Sequence, residues 1–373
     1  MRPRDVEHVA VYDVDGRFGG WPANHGIWSW GNEILVGFSA GYYDDLGPER
    51  HNIDHNKPEE HLLARSKDGG LTWSIANPAK QGQGILLGTA GMRHGKVPPG
   101  YTEPEPVDCP GGIDFTHPDF AMTCRMSGID EGVSRFYYSY DRGETWKGPF
   151  KLPLFGQRGI AARTDYIVNG PHACMLFLTA SKSNSREGRP ICVRTTDGAK
   201  TWEFVSYIGP EPKGFGIMPS TVRLSPTDLL TTIRRRASAD EPRHRWIEAW
   251  ASHDDGRSWE FLNDPVNDLG EGNPPHLIRL HDGRLCLTYG YRAEPYSIQA
   301  KLSDNGGKSW SGPIVLRDDG GGRDIGYPRT VERPDGKIVT IYYFHDSADV
   351  DRKIIATIWS PPEKLAGEAL KRQ

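Results

Sequence analysis

The sequence predicts a single domain over residues 1–373, folded as a six-bladed β-propeller of four-stranded antiparallel blades. Three observations support this prediction: an eight-residue pattern recurs five times, the strand-forming segments fall into six groups, and one extra strand-forming run precedes the first group. The composition agrees, since 44 glycines and 29 prolines are typical of a chain with many turns and little helix.

The recurring pattern is Ser/Thr-x-Asp-x-Gly-x-Thr/Ser-Trp, called the box below. Its copies occupy 66–73, 139–146, 195–202, 252–259 and 303–310. The Asp can accept bonds from backbone N–H groups ahead of it, and the Gly can adopt a positive φ. The Trp can fill the space between neighbouring blades. Each box is therefore predicted to be a structural turn without chemistry, including the two imperfect copies with Ala199 and Asn305.

The strand groups begin at Gly26, Phe120, Arg163, Met218, Pro275 and Tyr327. The sixth group has only three strands and no box. Residues 6–13, an apolar-alternating run, are expected to pair with Ile354–Ile358 and complete this blade. Such closure removes the exposed edges of an open sheet. The tail, residues 361–373, is expected to hold a short helix over Glu363–Arg372.

Composition limits the classes of partner. The net charge of −4 and pI of 6.4 favour neither nucleic acid nor an anionic membrane. Five cysteines without paired spacing predict no disulfide framework and no zinc site, and we expect no metal and no cofactor. No apolar run is long enough to span a bilayer, and the first residues lack a signal-peptide core. We therefore expect a cytoplasmic protein, or a secreted or periplasmic one whose leader was removed; the oligomeric state stays open.

Propeller geometry divides the loops between two faces. The boxes and the tight turns between the first and second strand of each blade share one face. The long segments Gly41–Glu60 and Ala76–Phe115 belong to the other face, called the mouth face below. Long loops in a compact domain are usually functional, so the site is expected here, at the mouth of the axial channel.

Residues that begin a first strand or end a second strand should reach this mouth, together with loop residues such as His51. Arginine suits a carboxylate or sulfate on a ligand, while carboxylate, His and Tyr supply acids, bases and nucleophiles. The candidate catalytic residues are Tyr327, His25 and Asp54. The candidate binding residues are Arg234, Arg163, Arg292, Arg329, His117, Glu271 and Asp324. We expect Tyr327 and His25 to face each other across the mouth and to touch the reacting part of the ligand.

The box is similar to the Asp-box (BNR) motif, and nearly the whole chain resembles the sialidase superfamily of β-propellers. In sialidases the last blade opens with a Gly-Tyr-Ser step that carries the nucleophile, and Gly326-Tyr327-Pro328 looks similar. The resemblance implies that Tyr327 is the nucleophile and that Arg234 and Arg292 bind the substrate carboxylate. It also implies that Asp54 is the acid/base.

Two features of the sialidase pattern are missing. The arginine of the family's Arg-Ile-Pro step would fall at Asn24-His25-Gly26-Ile27, and the glutamate that activates the Tyr would fall near Met218-Pro219-Ser220. The resemblance implies a carbohydrate-active enzyme that hydrolyses a terminal, anionic sugar from a glycan. The alternatives are a lyase in which His25 or Tyr327 takes a proton beside a uronate carboxylate, a glycan-binding propeller without activity, and a protein-binding scaffold.

Overall fold

The computed structural model describes residues 3–80, 96–100, 104–347 and 350–363 of the chain. Within these ranges it shows six antiparallel sheets arranged as blades around a central axis, so the predicted six-bladed β-propeller is confirmed. The tail beyond Glu363 and part of the link Ala76–Phe115 lie outside the described residues. No helix in the described ranges is long and apolar enough to cross a membrane.

The first strand of the chain belongs to the last blade, and the first blade follows it with an interrupted inner strand. The elements are β1 (Arg4–Tyr12), β2 (Arg17–Gly20), α1 (Pro22–His25), β3 (Ile27–Trp30), β4 (Glu33–Tyr42), β5 (Glu60–Ser66) and β6 (Ser74–Ala76). Both β2 and β3 pair with β4, and α1 lies between them. The inner edge of this blade is therefore bent at the level of α1.

The second blade has three paired strands in the described part of the chain, where the fold prediction has four. They are β7 (Ala121–Met126), β8 (Ser134–Ser139) and β9 (Lys147–Leu152). The described segment before β7 crosses the box face instead of forming an inner strand. Its Ile113 N–H donates to the Gly198 carbonyl at 3.1 Å, and its Phe115 N–H donates to the Pro171 carbonyl at 2.7 Å.

The third, fourth and fifth blades follow in chain order. Their strands are β10 (Ile160–Ala161), β11 (Tyr166–Gly170), β12 (Ala173–Ser181), β13 (Glu187–Thr195), β14 (Glu203–Tyr207), β15 (Phe215–Arg223), β16 (Leu229–Arg236), β17 (Arg245–Ser252), β18 (Glu260–Val266), β19 (His276–Arg279), β20 (Leu285–Tyr291), β21 (Ser297–Ser303) and β22 (Ile314–Arg317). In the third blade β10 and β11 both pair with β12, so its inner strand is also interrupted.

The sixth blade is completed by the N-terminal strand, as predicted. Its strands are β23 (Gly326–Glu332), β24 (Ile338–Phe344) and β25 (Lys353–Ser360), and β1 pairs with β25 in antiparallel register from Arg4 opposite Ser360 to Tyr12 opposite Ile354. Val11 and Tyr12 are buried in the core between this blade and the first. The pairing therefore closes the ring with both backbone bonds and apolar contacts.

The boxes form turns with a common set of bonds. In the first copy the Ser66 hydroxyl accepts from the Gly70 N–H at 2.8 Å, and the Asp68 carboxylate accepts from the Thr72 N–H at 2.9 Å. Bonds from Thr72 lower the pKa of Asp68 to about 2. In the imperfect copies Ala199 adopts a φ of 68°, and the Asn305 amide oxygen accepts from the Ser309 N–H at 3.0 Å. These side chains are used in holding the turns.

Removal of residues 1–13 should expose the edge of β25 and the apolar surface that Val11 and Tyr12 cover. We expect a loss of unfolding free energy on the order of 3–5 kcal/mol, the scale of large core truncations, together with aggregation through the open edge. Thermal unfolding and light scattering measure both effects. Val6→Thr, at a position that is 39% exposed, is the control. A truncated protein as stable and monodisperse as this control would contradict the closure.

Candidate active site

The inner strands of three blades contain the same irregularity. Trp21, Met218 and Tyr327 have φ values of 55°, 55° and 51°, and each is followed by a proline. In β15 and β23 this step coincides with a break in strand register. A positive φ is costly for residues with a side chain, and such strain is concentrated at functional sites. These steps turn side chains out of the ladders and toward the axis.

Tyr327 is fixed by Asn273 from the neighbouring blade. The Asn273 amide oxygen accepts from the Tyr327 N–H at 2.8 Å, and its amide nitrogen donates to the Ile325 carbonyl at 3.0 Å. Gly326 lies between these two bonds, where an added Cβ would be 2.3 Å from the Asn273 nitrogen. The completely buried Asn273 thus holds the strained turn that orients the Tyr327 side chain.

Two arginines contact the Tyr327 side chain. Arg234 donates from Nη1 to the Tyr327 hydroxyl at 3.1 Å, and the Arg292 guanidinium lies 5.3 Å from the centre of the Tyr327 ring. Burial lowers the pKa of Arg234 from its usual value. Cationic donors at a phenol oxygen stabilise negative charge that develops there. The Arg163 guanidinium pairs with Glu187 at 2.5 Å, and its positive charge also lowers the pKa of Arg234.

Asp324 is the centre of a buried polar cluster. Its Oδ1 accepts from His51 Nδ1 at 2.6 Å and from the Tyr343 hydroxyl at 2.8 Å. Its Oδ2 accepts from the Asn52 N–H and from Arg352 Nε, both at 3.1 Å. Burial alone would raise the pKa of Asp324, but the charges of His51, Arg352 and Arg292 outweigh it and hold the pKa well below the usual range.

Comparison with known proteins identifies the family of this chain. The family model described as the BNR repeat-like domain matches residues 120–340, more than half of the sequence. The chain belongs to this family. No curated protein matches the sequence.

Several solved structures share the fold of this BNR propeller. A protein of unknown function from Dyadobacter fermentans is 19% identical, with a TM-score of 0.68 over 96% of this chain and 99% of that one. A Trypanosoma rangeli sialidase in complex with sialic acid is 11% identical, with a TM-score of 0.58 over 96% of this chain but 59% of its own. A GH93 α-L-arabinofuranosidase of Fusarium graminearum with arabinobiose is 12% identical, with a TM-score of 0.57 over 94% of this chain and 98% of that one. At these identities the likeness shows a sialidase-like fold.

His25 does not reach the mouth of the BNR propeller, contrary to prediction. It is 2% exposed, its Nε2 lies 3.1 Å from the Ser39 hydroxyl, and its Nδ1 lies 2.7 Å from Nδ1 of His61. His61 in turn lies 2.6 Å from an Arg125 nitrogen. Burial, followed by the charge of Arg125, lowers the pKa of both histidines well below the usual value. Because α1 carries it inward, the His25 side chain is buried in the channel wall. It therefore does not face the mouth together with Tyr327, contrary to the prediction.

Arg329 and His117 also lie away from the predicted site. Arg329 is 6% exposed and donates to the carbonyls of Ala23 and Thr164 at 2.6 and 2.5 Å, so it ties three blades together across the axis. Burial lowers its pKa to about 10. His117 lies on the box face, with its ring 4.7 Å from that of Tyr140 in the second box. The sequence places it at the start of an inner strand, and the described residues of the second blade include no such strand.

The remaining candidates lie in the loops of the mouth face. Glu271 pairs with Arg245 at 3.0 Å and with Arg243, so its negative charge is balanced by these two arginines. Asp54 accepts from the Asn56 N–H at 2.8 Å and lies 3.4 Å from Lys57. These bonds, that of Asn56 first, lower the pKa of Asp54. Its assignment as the acid/base stays a prediction.

Two residues of the site have no assigned role in the sequence analysis. Asn273 lies at the predicted start of an inner strand and is therefore expected near the mouth, but its bond to the Tyr327 N–H joins positions 54 residues apart and leaves no local pattern. His51 was recognised as a loop residue of the mouth face, but its contact with Asp324 joins positions 273 residues apart and leaves no local pattern.

The buried histidines predict a pH-dependent stability. Because the folded-state pKa of His61 is depressed, the unfolded chain binds more protons below about pH 6.5, and stability falls as pH falls. His61→Gln should flatten this fall by up to about 1.4 kcal/mol per pH unit below 6.5. Urea unfolding at pH 7.5, 6.5 and 5.5 measures it. His253→Gln is the control, since His253 is exposed and Asp228 raises its pKa. Equal pH dependence in the parent and His61→Gln would contradict the assignment.

Proposed function

We propose that this BNR propeller is a carbohydrate-active enzyme that hydrolyses a terminal, anionic sugar from a glycan, with Tyr327 as the nucleophile. The observation that carries the proposal is the contact between Arg234 and the Tyr327 hydroxyl, made on a strained backbone at the channel mouth. The fold neighbours described with sialic acid and with arabinobiose support a glycan as the ligand.

The anionic character of the sugar is inferred from the charges at the mouth. Among the described residues, Arg234 has no carboxylate partner and donates to the Tyr327 hydroxyl. Arg292 donates to the Tyr343 hydroxyl and the Ile325 carbonyl. The negative charge nearest to Arg292 is that of Asp324, which also interacts with His51 and Arg352. Where buried guanidinium groups outnumber the carboxylates beside them, they attract a negative group on a ligand. A sugar carboxylate or sulfate would supply the missing charge.

Hydrolysis by Tyr327 takes two displacements. The Tyr327 oxygen bonds to the anomeric carbon while the glycosidic bond breaks, and the leaving oxygen takes the electron pair and a proton in place of the one that the Tyr327 hydroxyl gives up. Water then displaces Tyr327 from the anomeric carbon, so the sugar keeps the oxygen and one proton of water, and the other proton restores the Tyr327 hydroxyl. The guanidinium of Arg234 stabilises the phenolate form that attacks and leaves.

The neighbourhood of Tyr327 also explains how this site differs from the sialidase pattern. Where that pattern implies a glutamate, Met218 lies in an apolar cluster with Ala23 and Ile217, against which Tyr327 packs. A phenol beside a methionine receives no proton acceptor from it. In the proposed mechanism, Arg234 and Arg292 therefore carry the electrostatic part of the activation.

A second candidate is eliminative cleavage of a uronate, and the same arginines favour it. Guanidinium groups on a uronate carboxylate would acidify the adjacent C–H bond, and the Tyr327 phenolate could take that proton while the glycosidic oxygen leaves. This reaction consumes no water and leaves an unsaturated sugar. The two candidates therefore differ in the mass and absorbance of their products.

The function is tested by incubating the purified protein with sialosides, uronate-containing oligosaccharides and rhamnosides. A product heavier by one water indicates hydrolysis, while new ultraviolet absorbance without added water indicates elimination. Tyr327→Phe should lower kcat at least about a thousandfold, because the reacting oxygen is removed. The control is Tyr207→Phe. Tyr207 lies in the outer strand β14, and its hydroxyl bonds the side chain of Gln157. Full turnover by Tyr327→Phe would exclude Tyr327 from the chemistry.

Arg234→Lys should weaken binding of the cleaved sugar while leaving the fold intact. Lysine keeps the charge but loses the planar fork that matches a carboxylate, so we expect KM to rise about tenfold or more. The control is Arg279→Lys, at an exposed arginine that donates to the Leu224 carbonyl. Equal KM values for Arg234→Lys and the parent would place the anionic group elsewhere, with Arg292 and Arg163 as the next candidates.

A further inference from the structure

The contact between His51 and Asp324 has the form of a positioned proton-transfer group. The side chain of Asp324 is 4% exposed, whereas that of His51 is 26% exposed. Nδ1 of His51 lies 2.6 Å from Oδ1 of the buried carboxylate, so Nε2 is the ring nitrogen that points away from this contact. The Trp21 ring packs edge to face against the His51 ring, with 5.2 Å between the two ring centres, and this contact fixes the plane of the imidazole.

The hydrogen-bond network determines which nitrogen of His51 carries the proton. Arg292 and Arg352 can only donate, so the Tyr343 hydroxyl accepts from Arg292 and donates in turn to Asp324. With Asn52 and Arg352 donating to its second oxygen, Asp324 is an acceptor throughout. His51 Nδ1 must therefore be protonated, and proton exchange is left to Nε2.

This network is continuous with the Tyr327 site. The Arg292 guanidinium that donates to Tyr343 also lies against the Tyr327 ring, and the rings of Tyr327 and Tyr343 are 6.0 Å apart. His51, Asp324 and Tyr327 therefore border one region of the mouth. A group bound over Tyr327 would lie within this shared boundary.

We propose that His51 exchanges the proton in the cleavage reaction and that Asp324 is its positioning residue. The assignment rests on the proposed function and adds the acid/base, a role for which Asp54 is the sequence-based candidate. It also supplies an acceptor for the Tyr327 proton at a site where Met218 replaces the expected carboxylate.

The proton balance of this mechanism closes within the site. The reacting form has Tyr327 as phenolate and His51 protonated at both nitrogens, with the same net charge as the neutral pair. As the Tyr327 oxygen bonds to the anomeric carbon, the leaving oxygen takes the bonding electrons and the Nε2 proton. Water then returns a proton to Nε2 while its oxygen bonds to the anomeric carbon and the Tyr327 phenolate leaves.

The surrounding charges set the pH range of this exchange. Burial lowers the pKa of His51, the charge of Asp324 opposes this, and Arg292 and Arg323 lower it further. Because the reacting form and the neutral pair hold the same number of protons, the pKa of His51 sets the acid limb of kcat/KM. Since Asp324→Asn removes the opposing negative charge, it should move this acid limb to lower pH and reduce kcat/KM on the pH plateau, because a smaller fraction of the enzyme is in the reacting form.

The test compares leaving groups. We compare the parent with His51→Gln, Asp324→Asn and Asp54→Asn. Each protein is assayed on two pairs of probes. The first pair is the 4-methylumbelliferyl and the lactosyl glycoside of N-acetylneuraminic acid, and the second pair is 4-methylumbelliferyl glucuronide and a glucuronyl disaccharide. An umbelliferyl group leaves without a proton, whereas a sugar needs one. His51→Gln should lower kcat/KM at least about a hundredfold for the sugar leaving group and only a few-fold for the aryl one. His172→Gln, whose ring bonds the Ile113 carbonyl on the box face, is the control.

Three outcomes would overturn the assignment. They are full activity of His51→Gln, an equal loss on both leaving groups, and a leaving-group-dependent loss in Asp54→Asn instead. If the parent cleaves none of the probes, the proposed function fails and the role of His51 in turnover fails with it. The proposed contact of His51 with Asp324 is then tested separately by ¹⁵N NMR of the histidine rings. The Nδ1–H tautomer of His51 supports the contact, and the Nε2–H tautomer overturns it.

Discussion

The rest of the structure depends on the antiparallel pairing of β1 with β25. This pairing makes the sixth blade a neighbour of the first, so that Tyr327 on β23, Asp324 just before it and His51 from the first blade border one mouth. The bond between His51 and Asp324 links the two blades directly at this seam. Ring closure therefore creates the candidate site as well as protecting the sheet edges.

Charge is distributed unevenly between the wall and the mouth. In the wall, Arg163 pairs with Glu187, and Arg329 is bonded to two backbone carbonyls. Such satisfied groups stabilise the junctions between blades. Arg234 and Arg292 instead direct their guanidinium groups to tyrosine hydroxyls. The carboxylate near Arg292 is Asp324, whose single charge is shared with His51 and Arg352, so positive charge is in excess at the mouth. This contrast is the physical reason for expecting an anionic ligand at the mouth.

The features that repeat or that depend on local periodicity could be predicted from the sequence, and those that depend on irregular backbone could not. The boxes, the six blades and the closing strand follow from spacing and alternation. The placement of His25 failed because α1 turns it into the wall, and that of His117 failed because the segment before β7 crosses the box face. Asn273 and His51 act through contacts between distant segments, which no local pattern reveals.

The most direct test of the central claim is to trap the reacting Tyr327. The reagent is a fluorinated glycosyl fluoride, which slows the release of a covalently bound sugar. It is made from N-acetylneuraminic acid, or from glucuronic acid if the glucuronide is the probe that the protein cleaves. Peptide mass mapping then locates the label. The account predicts that the added mass lies on Tyr327 and is absent from Tyr327→Phe. A label on another residue, or none although the aryl glycoside of the same sugar is hydrolysed, would contradict it.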